Sequence, residues 1–304
     1  MENITRIDSP SSAIIQLSDE LCLVRYMPFP KFLSIVGGQF PFTPLRLLGQ
    51  DNDPLESHPI TAPQVIMKEL SDLSNKEELL KEIGSSAPRW MQDALSDASA
   101  TDGNRANVYA RAFHGFIRER RAVSCWFANG FESAAMWTGF APQGVAVETT
   151  LGGIEKMLPA GRNFLVSAVR YRNRGRFKIG HANMEKFPNM VLRPFLLKGQ
   201  EFEHEKEVRI ITRCHSEQKW FSVPVPDFYK CIRRVIISPY IDPVSASALK
   251  QHIEEHLARR FGENDTPPVC FSTINSPVLE GSESEAALDK LYDEYMPADD
   301  QLPL

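Results

Sequence analysis

Helix-like and strand-like segments occupy separate parts of this chain, and their order limits the folds open to it. Apolar residues recur at helical spacing between Pro59 and Arg121, whereas runs rich in β-branched and aromatic residues dominate after Arg121. Helices that cluster ahead of the strands favour an α+β fold over a doubly wound one, in which the two would alternate. The predicted strands are Leu21–Tyr26, Gln39–Thr43, Ala122–Ala128, Gly144–Thr149, Phe164–Tyr171, Val208–Thr212, Lys219–Val223 and Val235–Ser238.

The predicted core is a mixed or antiparallel sheet in one α+β domain of residues 1–276, with residues 59–121 as a helical insertion. An amphipathic helix is predicted at Pro243–Phe261. Residues 277–304 form an acidic tail: it holds eight acidic residues and one lysine, whereas the net charge of the whole chain is −5. The acidity is therefore a property of the tail and says little about the partners of the domain.

Composition argues against several classes of protein. No run of about 18 apolar residues is present, so we predict no transmembrane helix. Residues 1–18 lack the basic start and apolar centre of a secretion signal. The five cysteines are widely spaced, which is typical of reduced core thiols, and no cysteine–histidine cluster has the spacing of metal ligands. We expect a cytoplasmic protein without a bound metal.

A run of charged residues stands out in the predicted strand Glu203–Ile211. Strand periodicity places Glu205, Glu207 and Arg209 on one face. Two carboxylates and a guanidinium are costly to bury without partners. This face is therefore either solvated and laced with ion pairs, or it lines a cleft in which a carboxylate stabilises developing positive charge.

Two further groups of residues allow a functional and a structural interpretation. The strand end Ser124–Phe127 and the following turn Ser133–Trp137 either wall a pocket with aromatic rings or pack in the core. Arg25 ends the first strand. It is either a ligand for phosphate or ribose, because the guanidinium fork matches paired oxygens, or a surface residue.

A basic strip runs from Arg162 to Lys178, with six basic residues, no acidic one, and Tyr171 and Phe177 among them. Such a strip either contacts phosphate or nucleic acid, or is a solvated hairpin, or docks on the acidic tail. The nucleic-acid-binding residues predicted from it are Arg170, Arg172, Arg174, Arg176 and Lys178.

Several motifs follow one another along most of the chain. They are Val24–Tyr26, Asp51–Glu56, Cys125–Phe127 with Met136–Trp137 and Gly144–Glu148, and Glu205–Arg209. In this order they resemble the motifs of domain of unknown function 2971, a mainly bacterial family. The chain departs from the family pattern at the serine that usually follows Cys-Phe, and at the tryptophan of the last motif, where it has Val208.

The layout is also similar, more faintly, to that of DNA-modifying ADP-ribosyltransferase toxins. That similarity implies an NAD-consuming ADP-ribosyltransferase or NAD glycohydrolase, an effector of a bacterial defence or toxin system with NAD as its substrate. It implies Glu207 or Glu205 as the catalytic carboxylate, because such a group stabilises the oxocarbenium-like centre formed when the glycosidic bond breaks. The cofactor-binding residues implied are Arg25, Tyr26, Phe127, Trp137 and Arg209.

Two other functions fit the same sequence. The basic strip favours a non-catalytic nucleotide or nucleic-acid sensor of a defence system. The acidic tail favours an interaction module in a defence or toxin assembly. The expected partners are accordingly nucleic acid or a partner protein, and no membrane.

Overall fold

A computed structural model of the chain describes residues 4–7, 15–48, 89, 115, 117–172, 192, 195–214, 220–262 and 265–274. The strands are β1 (Ile4–Ile7), β2 (Cys22–Pro28), β3 (Gln39–Pro44), β4 (Arg121–Phe127), β5 (Gly144–Thr150), β6 (Phe164–Ala168), β7 (Arg170–Arg172), β8 (Leu197–Gly199), β9 (Glu207–Arg213), β10 (Phe221–Pro224), β11 (Arg234–Ile237) and β12 (Val269–Phe271). The helices are α1 (Phe29–Val36), α2 (Ala134–Phe140), α3 (Leu151–Met157) and α4 (Pro243–Phe261), with 3₁₀ turns at Leu45–Leu47, Gln200–Glu205 and Phe228–Cys231.

Most of the strands form one mixed sheet in the order β1-β6-β9-β4-β2-β5-β11-β12. The β1–β6 and β11–β12 pairs are parallel, whereas β6–β9, β9–β4, β4–β2, β2–β5 and β5–β11 are antiparallel. β7 and β8 pair separately, in parallel. The predicted α+β class with a mixed sheet is confirmed.

A fork opens beside β4, because two strands share the same edge of it. β2 pairs with the end of β4, where Val24 faces Phe127, whereas β3 pairs with its beginning, where Thr43 faces Val123. Beyond β4 the two strands part, since β2 continues along β5 and β3 along β10. The middle of β4, including Ser124, therefore lies at the base of the fork.

The two faces of the sheet carry separate apolar cores, since side chains alternate along each strand. On one face, α1 and α4 cover a large cluster that includes Trp126 and Val208. On the other face, α2 covers a smaller cluster that includes Tyr26 and Phe127. Full burial of each such side chain stabilises the fold by about 1.5–3 kcal/mol.

Several predicted segments lie outside the described residues. They are the Asp51–Glu56 motif, the acidic tail of residues 277–304, and the helical insertion of residues 59–121 apart from Arg89, Gly115 and residues 117–121. Within the part of the chain that is described, no helix is long and apolar enough to cross a membrane.

Candidate functional site

The charged run that ends in β9 does not begin as a strand. β9 starts at Glu207, so the prediction that Glu205 lies in the strand is wrong: a 3₁₀ turn ends at Glu205. Lys206 follows in the left-handed conformation, with φ 45°. This turn directs both carboxylates to Lys198, whose Nζ lies 2.6 Å from Glu205 Oε2 and 3.6 Å from Glu207 Oε2.

Glu207 and Arg209 form a buried bidentate ion pair. Arg209 Nε and Nη2 each donate to one oxygen of Glu207 at 2.8 Å, and Nη1 donates to the carbonyl of Phe195. The thiol of Cys125 also hydrogen-bonds to Glu207. Because Glu207 is 2% exposed and Arg209 0%, these charges form a buried network, and the interpretation as a solvated sheet face is wrong.

Burial acts to raise the pKa of both glutamates in this network, but their net pKa shifts have opposite directions. Burial alone would raise the pKa of Glu207, but the charges of Arg209 and Lys198 outweigh it and hold the pKa at about 2. Burial raises the pKa of Glu205 despite its contact with Lys198, since Glu207 shares that cation and repels Glu205. Glu207 is thus ionised at neutral pH, and its oxygens are occupied by Arg209. The catalytic role of either glutamate stays a prediction.

Arg25 lies on the opposite face of the sheet from this network. Val24 faces Phe127 across β2 and β4, and Phe127 faces Glu207 across β4 and β9, so these three side chains share one face. Arg25 follows Val24 and therefore points to the other face. The structure brings Glu205, Glu207 and Arg209 together, but it does not add Arg25 to them.

Arg25 enters the fork between β2 and β3. Its Nη1 donates to Ser124 Oγ at 2.7 Å and to the carbonyl of Pro41 at 3.1 Å, and the guanidinium lies beside the rings of Phe40 and Trp126. Nε and Nη2 donate to none of the described residues. Arg25 is only 5% exposed, so its interpretation as a surface residue is wrong, and burial lowers its pKa to about 10.

A second cation, Lys31, lies near Arg25. Lys31 is in the first turn of α1 and is partly buried. Burial and then the charge of Arg25 lower the pKa of Lys31 to about 8. Among the described residues neither cation has a carboxylate within ion-pair distance, so the fork concentrates positive charge that the described protein does not neutralise.

The aromatic residues predicted to bind the cofactor pack together beneath α2. Tyr26 and Trp137 meet edge to face at a centroid distance of 4.8 Å, and Phe127 lies 6.0 Å from Tyr26. Trp137 Nε1 donates to Glu132 at 2.9 Å. The three rings are buried, so this cluster is core packing, and a contact with a cofactor stays a prediction.

The basic strip is described only at its beginning. Arg170 lies in β7 and is buried, and the backbone of Arg172 continues that strand. Arg174, Arg176 and Lys178 lie outside the described residues. The prediction of nucleic-acid contact for these residues is therefore untested, and buried Arg170 does not offer its charge to solvent.

The sequence does not indicate the polar contacts of three contributors to these sites. Lys31, Ser124 and Lys198 are single polar residues in apolar segments, and only long-range strand pairing and the packing of α1 and β8 bring each to its partner. Among the described residues, no group of three or more histidine, cysteine or acidic side chains could hold a metal ion.

No protein-family model, no curated protein and no solved structure matches the chain. Its resemblance to domain of unknown function 2971 stays a prediction.

Proposed function

We propose that the protein binds a phosphate-bearing nucleotide in the fork between β2 and β3, with NAD as the first candidate. The observation that carries this proposal is the pair of cations, Arg25 and Lys31, without a carboxylate partner among the described residues. Burying like charges near each other is costly. An anion in the fork would offset that cost.

The geometry of Arg25 favours phosphate over a simple monovalent ion. Nη1 is held by Ser124 and Pro41, which fixes the plane of the guanidinium. Nε and Nη2 donate to none of the described residues. Together these two nitrogens have the geometry to donate to two oxygens of one phosphate. Lys31 would supply a second, more mobile positive charge beside it.

Consumption of NAD is the chemical extension of this proposal, and it follows from the resemblance to ADP-ribosyltransferase toxins. We propose on this basis that the protein is an NAD-consuming effector of a bacterial defence or toxin system. That chemistry requires a carboxylate near the ribose of NAD. Glu207 is on the other face of the sheet, with both oxygens on Arg209. Ligand binding is accordingly the first step to test, and bond cleavage the second.

Isothermal titration calorimetry with NAD, ADP and pyrophosphate tests the binding step. The purified wild-type protein is expected to bind at least one of them. Lys31→Met is expected to weaken binding by about 10-fold or more, because it removes a charge-assisted contact. Arg25→Lys retains the charge but loses the paired donors of the guanidinium, so it is expected to weaken binding as well. Chromatography that measures the release of nicotinamide from NAD tests whether the protein consumes NAD.

Lys230→Met is the matched control, since Lys230 is an exposed lysine that forms an ion pair with Asp227. This variant is expected to bind like the wild type. Melting temperatures of all variants show whether the fold is retained. The binding proposal fails if no ligand binds the wild type at millimolar concentration, or if Lys31→Met and Lys230→Met bind equally well. The proposal that the protein consumes NAD fails, while the binding proposal stands, if NAD binds but no nicotinamide is released.

A further inference from the structure

We infer that Lys31 is a nucleophilic amine, which forms a Schiff base with a small phosphate-bearing aldehyde or ketone held in the fork. The chain passes directly from β2, which ends at Pro28, into α1, where Lys31 is the third residue. This short connection keeps Lys31 close enough to Arg25 for the two charges to interact. The inference rests on the anion site proposed above, because Arg25 has to hold the phosphate while Lys31 reacts.

The surroundings of Lys31 disfavour its ammonium form. The side chain is partly buried, and the nearby guanidinium of Arg25 carries the same charge. Lys31 lies in the first turn of α1, where the helix dipole is positive and no acidic residue offsets it. Among the described residues, no carboxylate lies within ion-pair distance of Lys31. Each of these features favours the loss of a proton from the ammonium group.

Loss of that proton makes Lys31 more reactive than an ordinary lysine. Burial, and then the charge of Arg25, lower the pKa of Lys31 to about 8, whereas the thiol of Cys125 in β4 acts less strongly in the other direction. At pH 7.5 about one molecule in four then carries the free amine, against about one in a thousand for a lysine with the usual pKa. Desolvation beside another cation activates a lysine for attack on carbonyl compounds.

The reaction needs only the free amine and the carbonyl compound. The nitrogen of Lys31 attacks the carbonyl carbon, so a C–N bond forms and an electron pair of the C=O bond moves to oxygen. The nitrogen loses two protons and the oxygen leaves with them as water, which gives the C=N bond without an oxidant or reductant. Once protonated by solvent, the imine keeps the positive charge of the fork, so the contact with the phosphate persists.

Arg25 determines which carbonyl compounds are favoured. Its Nη1 is held by Ser124 and by the carbonyl of Pro41, whereas Nε and Nη2 donate to none of the described residues. A phosphate on these two nitrogens would hold a short aldehyde chain beside the amine and raise its effective concentration there. ADP would occupy the same cations without forming a bond to Lys31, so it is expected to protect Lys31 from reaction.

Reductive trapping measures this reactivity. The wild-type protein is treated at pH 7.5 with glycolaldehyde phosphate, or with glycolaldehyde, which lacks only the phosphate. Cyanoborohydride reduces each imine to a stable amine, and peptide mass spectrometry then gives the rate of labelling at each lysine. The reference is Lys156, an exposed lysine in the last turn of α3.

With glycolaldehyde, Lys31 is expected to be labelled about 10-fold faster than Lys156, because a larger fraction of it is free amine. With glycolaldehyde phosphate, this preference is expected to rise by about a further 10-fold, since Arg25 holds the phosphate by charge-assisted hydrogen bonds. The inference is overturned if Lys31 is labelled no faster than Lys156, or if the phosphate adds no preference.

Two variants show where the fast label is attached. Lys31→Arg keeps the positive charge but cannot form the imine, so it is expected to lose the fast label. Lys156→Arg is the matched control and is expected to keep it; the opposite pattern would also overturn the inference. Calorimetry distinguishes this inference from the nucleotide proposal. Binding of ADP without fast labelling of Lys31 overturns only the Schiff base, whereas fast labelling without nucleotide binding overturns only the nucleotide proposal.

Discussion

At the residue scale, Glu207 shows how a buried carboxylate depends on its partners. Arg209 contacts both of its oxygens and Lys198 lies within 3.6 Å. Removing one member of such a network leaves the others charged in the core, which costs far more than the network contributes when intact. Loss of a single member of this network is therefore expected to destabilise the fold.

Glu207→Gln is expected to reduce the free energy of unfolding by about 3–5 kcal/mol, because Arg209 and Lys198 lose their shared carboxylate. Urea unfolding followed by circular dichroism measures this change. Glu255→Gln in α4 is the control: its exposed contact with Arg259 spans 3.7 Å, and its loss is expected to cost about 0.5 kcal/mol or less. Similar losses in the two variants would contradict the assignment of Glu207 to a buried network.

At the element scale, α4 is the segment that the sequence predicts best. The predicted helix Pro243–Phe261 coincides with the observed one. Its signals are local: the side chain of Asp242 caps the first turn, Pro243 suits the first helical position, and Gly262 follows the last residue with φ 87°. A boundary defined by neighbouring residues is accessible from sequence alone.

The run Glu203–Ile211 shows why other elements are not predictable in this way. Its alternating charges match strand periodicity, yet the chain makes a 3₁₀ turn up to Glu205 and takes the left-handed conformation at Lys206 before β9 begins. That turn is stabilised by Lys198, which lies in another strand. No local pattern in the run itself identifies this tertiary contact.

Asp242→Ala is expected to lower the free energy of unfolding by about 1 kcal/mol, because the backbone N–H of Ser245 loses its 2.9 Å contact with the cap. Asp227→Ala, which removes an exposed carboxylate that pairs with Lys230, is expected to change it by less than about 0.5 kcal/mol. Urea midpoints of the two variants give the comparison. Equal midpoints would show that the cap does not stabilise α4.

At the scale of the whole molecule, the class of fold was accessible from the sequence, but the strand order was not. Alternating apolar residues indicate that β4 is a strand, but any strand with a matching face could be its partner. Its actual partners, β2, β3 and β9, lie far away in the sequence. The fork, and with it the position of Arg25, depends on those pairings and could only be seen in the structure.

The stability of the whole molecule is expected to fall in acid. The folded-state pKa values of Glu207, held at about 2 by Arg209 and Lys198 against burial, and of Asp242, lowered by its hydrogen bonds to Ser245, lie below the usual values of such groups. Their contributions are therefore present above about pH 4 and are lost as the pH falls. Glu205 acts in the opposite sense, because its pKa is raised by burial.

Urea unfolding at a series of pH values from 6 to 2 measures the balance of these groups. The wild type is expected to lose stability steadily toward pH 2. Glu207→Gln should show a shallower decline, since it lacks one of the carboxylates whose pKa is lowered in the folded protein. An equally steep decline in this variant would mean that other groups determine the acid sensitivity.

The central position of β9 has a consequence for the synthesis of the chain. β9 joins β6, which carries β1, to β4, which carries β2 and β5, yet it comes after all of these strands in the sequence. Until residues 207–213 have been translated, β6 and β4 both lack the strand that joins them in the folded sheet. Unpaired edges of this kind attract aggregation and chaperones. A pause in translation shortly before β9 would prolong the time during which these two edges are open.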